Sequence, residues 1–410
     1  MSLTTSDRPK SAGKSISALI LFILAVVLTI PATIGQWGHQ TLMDEDRYIE
    51  TVGPLASSPE VQEAVADAVK DAVLDRIDTK DNVDKLLTGL FPDQPILQNL
   101  SAPIAAGINS GISSLIDRFV ASDQFQELWL KLNIALQRGI VAILQGNDSG
   151  PIQLQGDEVV LDISSLLNDV QTYLVDQGIS IAANVPIPET DRQIVLVEAP
   201  VLAQVRTIYS ITSPVLSFLP ALVAALFALS IWLARRRARM IVASGIALLL
   251  SGLAITQAVN AGGEAFVNQL AGSVFAPASS VLWDTLFSYL LQDGHAIALL
   301  GVIVIVAGWL AGRTSSARWV RGHLSRGLSD ISGRLPEAAQ GVLASAIVTV
   351  RWLIMALGVV LLLLAGVLSS GTVWSVTALV AGLMTVAQLL SVRPGQGPVA
   401  IEVVEIAEVD

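Results

Sequence analysis

Cysteine is absent from the 410-residue chain, and histidine occurs only three times, as His39, His295 and His323. Without cysteine the chain has no thiol nucleophile, thiolate zinc site, iron–sulfur cluster or disulfide. The histidines are scattered along the sequence, which disfavours an imidazole metal site. Phosphate-binding glycine loops, His-Glu-x-x-His pairs and Gly-x-Ser-x-Gly elbows are missing as well. We therefore expect no cofactor, no metal ion and no catalytic residue.

Charged side chains are also scarce. They make up 14% of the chain, whereas a soluble protein carries about 25%. Aromatic residues reach only 5%, although 52% of all residues are hydrophobic. The mean hydropathy of +0.63 therefore comes mainly from aliphatic residues, which suit helices surrounded by lipid. This composition predicts an integral membrane protein.

Six apolar runs have the length of membrane-crossing helices. They are Ile16–Ile34, Pro214–Ala234, Met240–Val259, Ala296–Gly312, Val348–Leu368 and Val373–Val392. The first run rises about 28 Å, which is too long for the apolar region of a cleaved signal peptide, the competing interpretation. We therefore predict an anchor helix over residues 16–36 and a five-helix transmembrane bundle over residues 211–392.

The basic residues predict how this arrangement is oriented. Outside the segment 37–210 there are 14 lysines and arginines, and in the six-helix arrangement all of them fall on one side of the membrane. The two loops on the opposite side, 260–295 and 369–372, contain none. Because lysine and arginine near span ends stay in the cytoplasm, residues 1–15 and the tail 393–410 are predicted to be cytoplasmic, in a multi-pass protein of the cell membrane.

The segment 37–210 is predicted to be an extracytoplasmic domain. It contains 25 acidic and 10 basic residues, a net charge of −15, which argues against nucleic acid as a partner. Apolar residues at helical spacing follow the cap Ser58, continue from Ile104 and follow the cap Ser122. Further along the segment, the spacing of the apolar residues shifts toward every second residue, which is typical of strands. Three short runs, Ile152–Gln155, Val159–Ile163 and Ile194–Val197, predict a small antiparallel sheet. The predicted fold class is thus a six-helix membrane protein with an α+β outer domain that is mainly helical.

The predicted outer loop 260–295 is too apolar to lie in water, and its pattern predicts two short amphipathic helices at the membrane interface. Glu264 and Asp284 are the acidic residues inside this loop, with Asp293 at its edge. We identify Glu264 and Asp284 as candidates to line an outer groove for a lipid or a partner. The alternative interpretation is that both side chains simply face solvent.

On the cytoplasmic side, a broken apolar stripe among arginines predicts a basic elbow helix over residues 313–347. Anionic lipid headgroups attract such residues by about 1 kcal/mol each. The candidate headgroup contacts are Arg235, Arg236, Arg237, Arg239, Arg318, Arg321 and Arg351. Gly308 and Gly312 form a small-x-x-x-small pair that predicts close helix packing.

Parts of the outer segment are similar to known sequences. The runs Asp46 to Ala56 (DRYIETVGPLA), Pro59 to Gln62 (PEVQ) and Gly156 to Asp162 (GDEVVLD) resemble the outer domain of a group of actinobacterial integral membrane proteins. That group has no assigned activity or binding residue to transfer to this chain. The resemblance implies a bacterial cell membrane.

Three functions compete at this stage. The favoured one is a scaffold or interaction protein of the cell envelope that presents its outer domain to a protein or cell-wall partner. The alternative is a transporter or flippase for lipids or small molecules, with a groove between the C-terminal helices. An enzyme acting on a lipid-linked substrate is the third. Membrane lipids are expected partners in every case.

Overall fold

The structure, a computed structural model, describes residues 11–76, 78–90, 100–145, 152–155, 158–162, 168, 171–172, 175, 193–198, 218–312, 314–316, 318–320, 322–323, 347–365 and 369–391. The chain divides into two compact units. The first comprises Met1–Ala32, Pro220–Thr256 and Gln292–Asp410, and the second comprises Thr33–Leu219 and Gln257–Leu291.

Helices dominate the described chain. The N-terminal part contains α1 (Ser11–Met43), α2 (Glu45–Val52), a 3₁₀ turn (Gly53–Ser57), α3 (Pro59–Arg76), α4 (Thr79–Leu90), α5 (Ser101–Val120) and α6 (Asp123–Gln145). The C-terminal part contains α7 (Phe218–Leu233), α8 (Arg237–Leu270), α9 (Ala276–Leu310), α10 (Ile347–Leu364) and α11 (Ser370–Ser391).

Local capping explains where several of these helices begin. The Ser58 carbonyl accepts the Gln62 N–H at 2.9 Å, directly before the first-turn proline of α3. At α6 the Ser122 hydroxyl accepts the Phe125 N–H at 3.3 Å. The Ser122 hydroxyl thereby satisfies an amide group that has no partner within the helix. The Ser58 hydroxyl instead donates to Glu60 Oε2 at 2.6 Å. The helix starts predicted at Ser58 and Ser122 are confirmed.

Within the first unit, α8 and α9 approach so closely that their backbones touch. A Cβ atom added at Gly252 would lie 2.5 Å from the amide nitrogen of Ala298, and one at Gly245 would lie 2.7 Å from the carbonyl oxygen of Gly301. A Cβ at Gly308 would lie 2.9 Å from the amide nitrogen of Val242. Only glycine leaves room for such contacts, which replace the hydrophobic effect as the source of helix association in lipid.

The spacing of these glycines differs from the predicted one. Gly294, Gly301 and Gly308 recur every seven residues along α9, as do Gly245 and Gly252 along α8. Of the predicted pair, Gly308 packs closely against the neighbouring helix α8. The three atoms nearest to a Cβ at Gly312 belong to Trp309 and Gly308 of its own helix end.

The predicted number of membrane spans is wrong. Four helices in the described part are long and apolar enough to cross a membrane: Ser15–Met43, Arg237–Leu270, Ala276–Leu310 and Ser370–Gln388. In the described parts of the predicted runs 214–234 and 348–368, the structure has the shorter apolar helices Phe218–Leu233 and Thr349–Leu364. Each of these two helices has 16 residues and rises about 24 Å, less than the roughly 30 Å of a hydrocarbon core. The four long helices indicate a multi-pass membrane protein.

In the second unit, the helices of the acidic segment enclose two hydrophobic clusters. The first contains the buried residues Val52, Leu55, Val61, Ala64 and Ala278, and the second contains Ala56, Ala66, Val120 and Phe125. Trp129 of α6 packs against both clusters, and its indole Nε1–H donates to the Val52 carbonyl at 2.9 Å. Every buried residue of these clusters lies on a helix or the 3₁₀ turn, so the described core of this unit is helical.

Three short strands, β1 (Ile152–Gln155), β2 (Glu158–Asp162) and β3 (Gln193–Glu198), form an antiparallel sheet in the order β1-β2-β3. Ile152 pairs with Leu161, and the register of β2 on β3 shifts between Val159 and Val160. Strands this short contribute little beside the helices, so the α+β class does not describe the protein. Together with the span count, this overturns the predicted fold class in favour of a predominantly helical protein with four candidate spans. The predicted tail 393–410 lies outside the described residues, as does most of the elbow 313–347.

We predict that Gly252→Leu weakens the α8–α9 contact, because the new side chain would collide with backbone atoms that cannot move aside. Overpacking of this kind costs about 1 to 3 kcal/mol or more. A thermal melt of the detergent-solubilised protein measures the effect. Gly382→Leu in α11 is the control, since nothing lies within 4 Å of a Cβ there. Equal melting temperatures for both variants would contradict the packing described above.

Candidate functional site

The candidate site lies where α8 and α9 are joined. α8 continues past the predicted span end at Val259 as far as Leu270, and α9 begins at Ala276. The prediction of two short interfacial helices over 260–295 is therefore wrong, because this segment consists of the ends of two long helices and a tight turn. Gly272 permits the turn with a φ of +84°, a value that is costly for residues with a Cβ.

The pair Gly262-Gly263 of α8 has a packing role. The indole of Trp283 from α9 lies directly over both glycines. A Cβ at Gly262 would lie 2.7 Å from its Cζ2 atom, and a Cβ at Gly263 would lie 2.9 Å from its Nε1 atom. The indole Nε1–H donates to the Val259 carbonyl at 3.0 Å. Trp283 thus connects the two helices.

Aromatic rings continue from Trp283 to α1. Ring centroids are 5.3 Å apart for Phe266 and Trp283, 4.2 Å for Trp283 and Phe287, and 5.1 Å for Phe287 and Trp37. Offset-stacked and tilted aromatic pairs at these distances contribute about 0.5 to 1.5 kcal/mol each beyond their buried area. The row of rings therefore stiffens the helix ends beside the site.

A cleft of about 450 Å³ opens between the ends of α8 and α9. It is lined by Val259, Asn260, Gly263, Glu264, Val267, Asn268, Ser280, Trp283, Asp284 and Leu291. The structure brings the two predicted groove residues together here, Glu264 from α8 and Asp284 from α9, and both are exposed. Neither carboxylate has an ion-pair partner among the described residues. Their role in binding stays a prediction.

Asp293, by contrast, does not line the cleft and belongs to the other unit. Its side chain is buried in α9, at 7% exposure, whereas the sequence pattern predicts it at the edge of a loop. The difference arises because α9 extends without a break through this position. Acidic residues buried in membrane helices are candidates for a functional role. The sequence pattern does not identify Asp293 as such a candidate.

The helical part of the acidic segment is docked on α9. Ala278 is buried in the cluster formed by Val52, Leu55, Val61 and Ala64, and Val281 and Leu282 pack against the same cluster. One cluster thus joins residues from α2, the 3₁₀ turn, α3 and the first turns of α9. The cleft and this part of the segment belong to a single unit.

A polar contact adds to this docking. The guanidinium of Arg47 lies 4.4 Å from the centroid of the Tyr289 ring, and the Tyr289 hydroxyl donates to Glu50 Oε2 at 3.1 Å. Arg47 Nη1 donates to Gln40 Oε1 of α1 at 2.5 Å. α2 is therefore tied both to α1 and to α9, through a cation–π contact and two hydrogen bonds.

α6 is held to the start of the domain by two further contacts. The amide of Gln137 donates to the Leu42 carbonyl at 3.0 Å. Arg138 donates two hydrogen bonds to the Glu45 carboxylate, at 2.6 and 2.7 Å. These hydrogen bonds hold the pKa of Glu45 below its ordinary value.

The predicted lipid-headgroup residues are spread over several elements. Arg235 and Arg236 lie in the turn before α8, Arg237 and Arg239 lie in its first turn, and Arg318 lies further along the chain, all exposed. Arg321 is outside the described residues. Arg351 of α10 is exposed and donates through Nη2 to Gln388 of α11, so it has a protein partner. The lipid contacts stay a prediction for all seven.

Within the described ranges, no group of three or more histidine, aspartate or glutamate side chains is arranged to hold a metal ion. The chemistry available at the cleft is that of two carboxylates, two carboxamides, a hydroxyl and an indole.

Comparison with known protein families, with curated proteins and with solved structures finds no match. The resemblance to the actinobacterial group stays a prediction.

Proposed function

We propose that this protein is an interaction scaffold of the bacterial cell envelope, and that its cleft binds a cationic group of a protein or cell-wall partner. The observation that carries the proposal is the placement of Glu264 and Asp284, from two different helices, at one cleft. In this proposal the membrane helices anchor an extracytoplasmic domain, and the cleft is part of the surface that the domain presents.

Charge supports a cation as the ligand. Glu264 and Asp284 bring two negative charges to the cleft, and the oxygens of Asn260, Asn268 and Ser280 supply further acceptors for ammonium or guanidinium hydrogens. The segment 37–210 adds a net charge of −15, which attracts cations over distances of about a Debye length. A lysine side chain or another primary amine has the charge and size that such a site accepts.

The rigidity of the surroundings supports a scaffold. Trp283 is fixed by its hydrogen bond to Val259 and by the ring of Phe287 stacked on it. Ala278, only a few residues away in α9, is buried in the core of the helical domain. A cleft whose walls are already held in place loses little conformational entropy on binding, which favours recognition by a preformed surface.

We predict that the double variant Glu264→Gln and Asp284→Asn binds a fluorescent tetralysine peptide about tenfold more weakly than the unaltered protein. Each exposed ion pair contributes up to about 1 kcal/mol, and both are removed. Fluorescence anisotropy on detergent-solubilised protein at constant salt measures the affinity. The control is Asp71→Asn with Asp75→Asn, which removes the same charge from exposed positions on α3. Equal losses in both double variants would contradict the cleft as the binding site.

Asp293 favours a second candidate function, transport of a lipid or small molecule, because transporters use buried ionisable residues in broken or packed helices. If the protein transports lipid, proteoliposomes show protein-dependent flux of a labelled phospholipid, and Asp293→Asn lowers it severalfold. The double variant at Glu264 and Asp284 reports whether the cleft takes part. Flux no higher than that of empty liposomes would contradict transport, and the scaffold would remain as the proposed function.

The three basic residues before the first candidate span, Arg8, Lys10 and Lys14, support an orientation with the N-terminus in the cytoplasm and the acidic segment outside the cell membrane. Because the chain has no cysteine, single cysteines report their side of the membrane cleanly. A membrane-impermeant maleimide is expected to label Ala72→Cys, exposed on α3, in intact cells. It is expected to label Ser6→Cys only after permeabilisation. The reverse pattern would contradict the extracytoplasmic placement.

A further inference from the structure

A second groove lies in the other unit, between α1 and α8. Its walls come from Phe22, Ile23, Val26, Val27 and Ile30 of α1 and from Ala243, Ile246, Ala247, Leu250, Ser251 and Ala254 of α8. The volume is about 570 Å³. Ser251 is the one lining residue with a polar side chain, so the groove offers no charge and a single hydroxyl.

The α8 side of the groove is a stripe of small residues. Ala243, Ala247 and Ser251 recur every four residues, the spacing that elsewhere allows two helices to approach closely. The glycines of α8 make such an approach to α9. The alanine stripe instead lines open space bordered by larger side chains such as Phe22 and Leu250.

We propose that this groove binds one acyl chain of a membrane phospholipid. Both of its helices belong to candidate membrane spans, Ser15–Met43 and Arg237–Leu270, and acyl chains are the medium that surrounds such helices. A charged or strongly polar ligand would find no partner among the lining side chains, and burying it there would be costly.

The volume of the groove, about 570 Å³, lies within the range of about 300 to 1,000 Å³ that is typical of small-molecule sites. An acyl chain is an apolar ligand of that class. Because lipid tails are as apolar as the groove, retention depends on close packing against the alanine stripe. The site therefore differs from the ordinary lipid-facing surface in shape and not in polarity.

The test uses the full-length protein reconstituted into phosphatidylethanolamine and phosphatidylglycerol vesicles that contain a phospholipid with a diazirine in its acyl chain. After irradiation, mass spectrometry locates the labelled residues. We expect labelling at the groove residues of α1 and α8 to exceed labelling of the exposed face around Leu379 of α11 severalfold. Ala247→Phe, which fills the groove, is expected to lower the groove labelling at least fivefold.

Ala378→Phe is the matched control, since Ala378 is an exposed alanine in another candidate span, and it is expected to leave the groove labelling unchanged. Ala247→Leu, a smaller change, replaces Ala247→Phe if the thermal melt shows that the latter does not fold. Uniform labelling of all exposed spans, or groove labelling unchanged by both variants, would overturn the proposal. Efficient disulfide formation between two copies through Val27→Cys would also overturn it, because a second copy would then occupy the groove.

Discussion

Backbone contact between α8 and α9 is the constraint on which the membrane part of this protein depends. Lipid does not drive apolar helices together, so their association requires close van der Waals packing. Gly245 and Gly252 of α8 lie against the backbone of α9. A Cβ atom on either glycine would lie 2.7 Å or less from backbone atoms of α9, which is closer than a side chain allows. The contact with α9 occupies one set of α8 residues. The alanine stripe of α8 is a different set, and it borders the groove with α1.

The same two helices contribute their other ends to the second unit, where the packing rules differ. There, a tryptophan replaces the backbone contact, and Trp283 fills the space over Gly262 and Gly263. Hydrophobic burial around Ala278 and the contacts of Arg47 with Tyr289 and Gln40 hold the helical domain on α9. The glycines of α8 thus serve two purposes. Gly245 and Gly252 allow the backbone of α9 to approach, and Gly262 and Gly263 leave room for the indole of Trp283.

Sequence patterns predict local features of this protein well. The caps at Ser58 and Ser122 depend on residues within one turn, and both helices begin there. The apolar runs 214–234 and 348–368 fail as spans because the apolar helices in their described parts, Phe218–Leu233 and Thr349–Leu364, are short. The chemistry of Glu264 and Asp284, two acids in an apolar segment, predicts them as groove residues, and both line one cleft. The helices that carry them are not predicted, because the pattern indicates two short interfacial helices where α8 and α9 continue.

The sequence by itself determined that this is a membrane protein, where α3 and α6 begin and where its negative charge is concentrated. These properties follow from composition and from contacts within a few residues, which any conformation of the chain retains. Only the tertiary structure decided which glycines meet, that Trp283 covers two of them, that Asp293 is buried and that two carboxylates share a cleft. Each of these depends on which faces of distant helices come together, and the same apolar pattern is compatible with many such pairings until side-chain shape selects one.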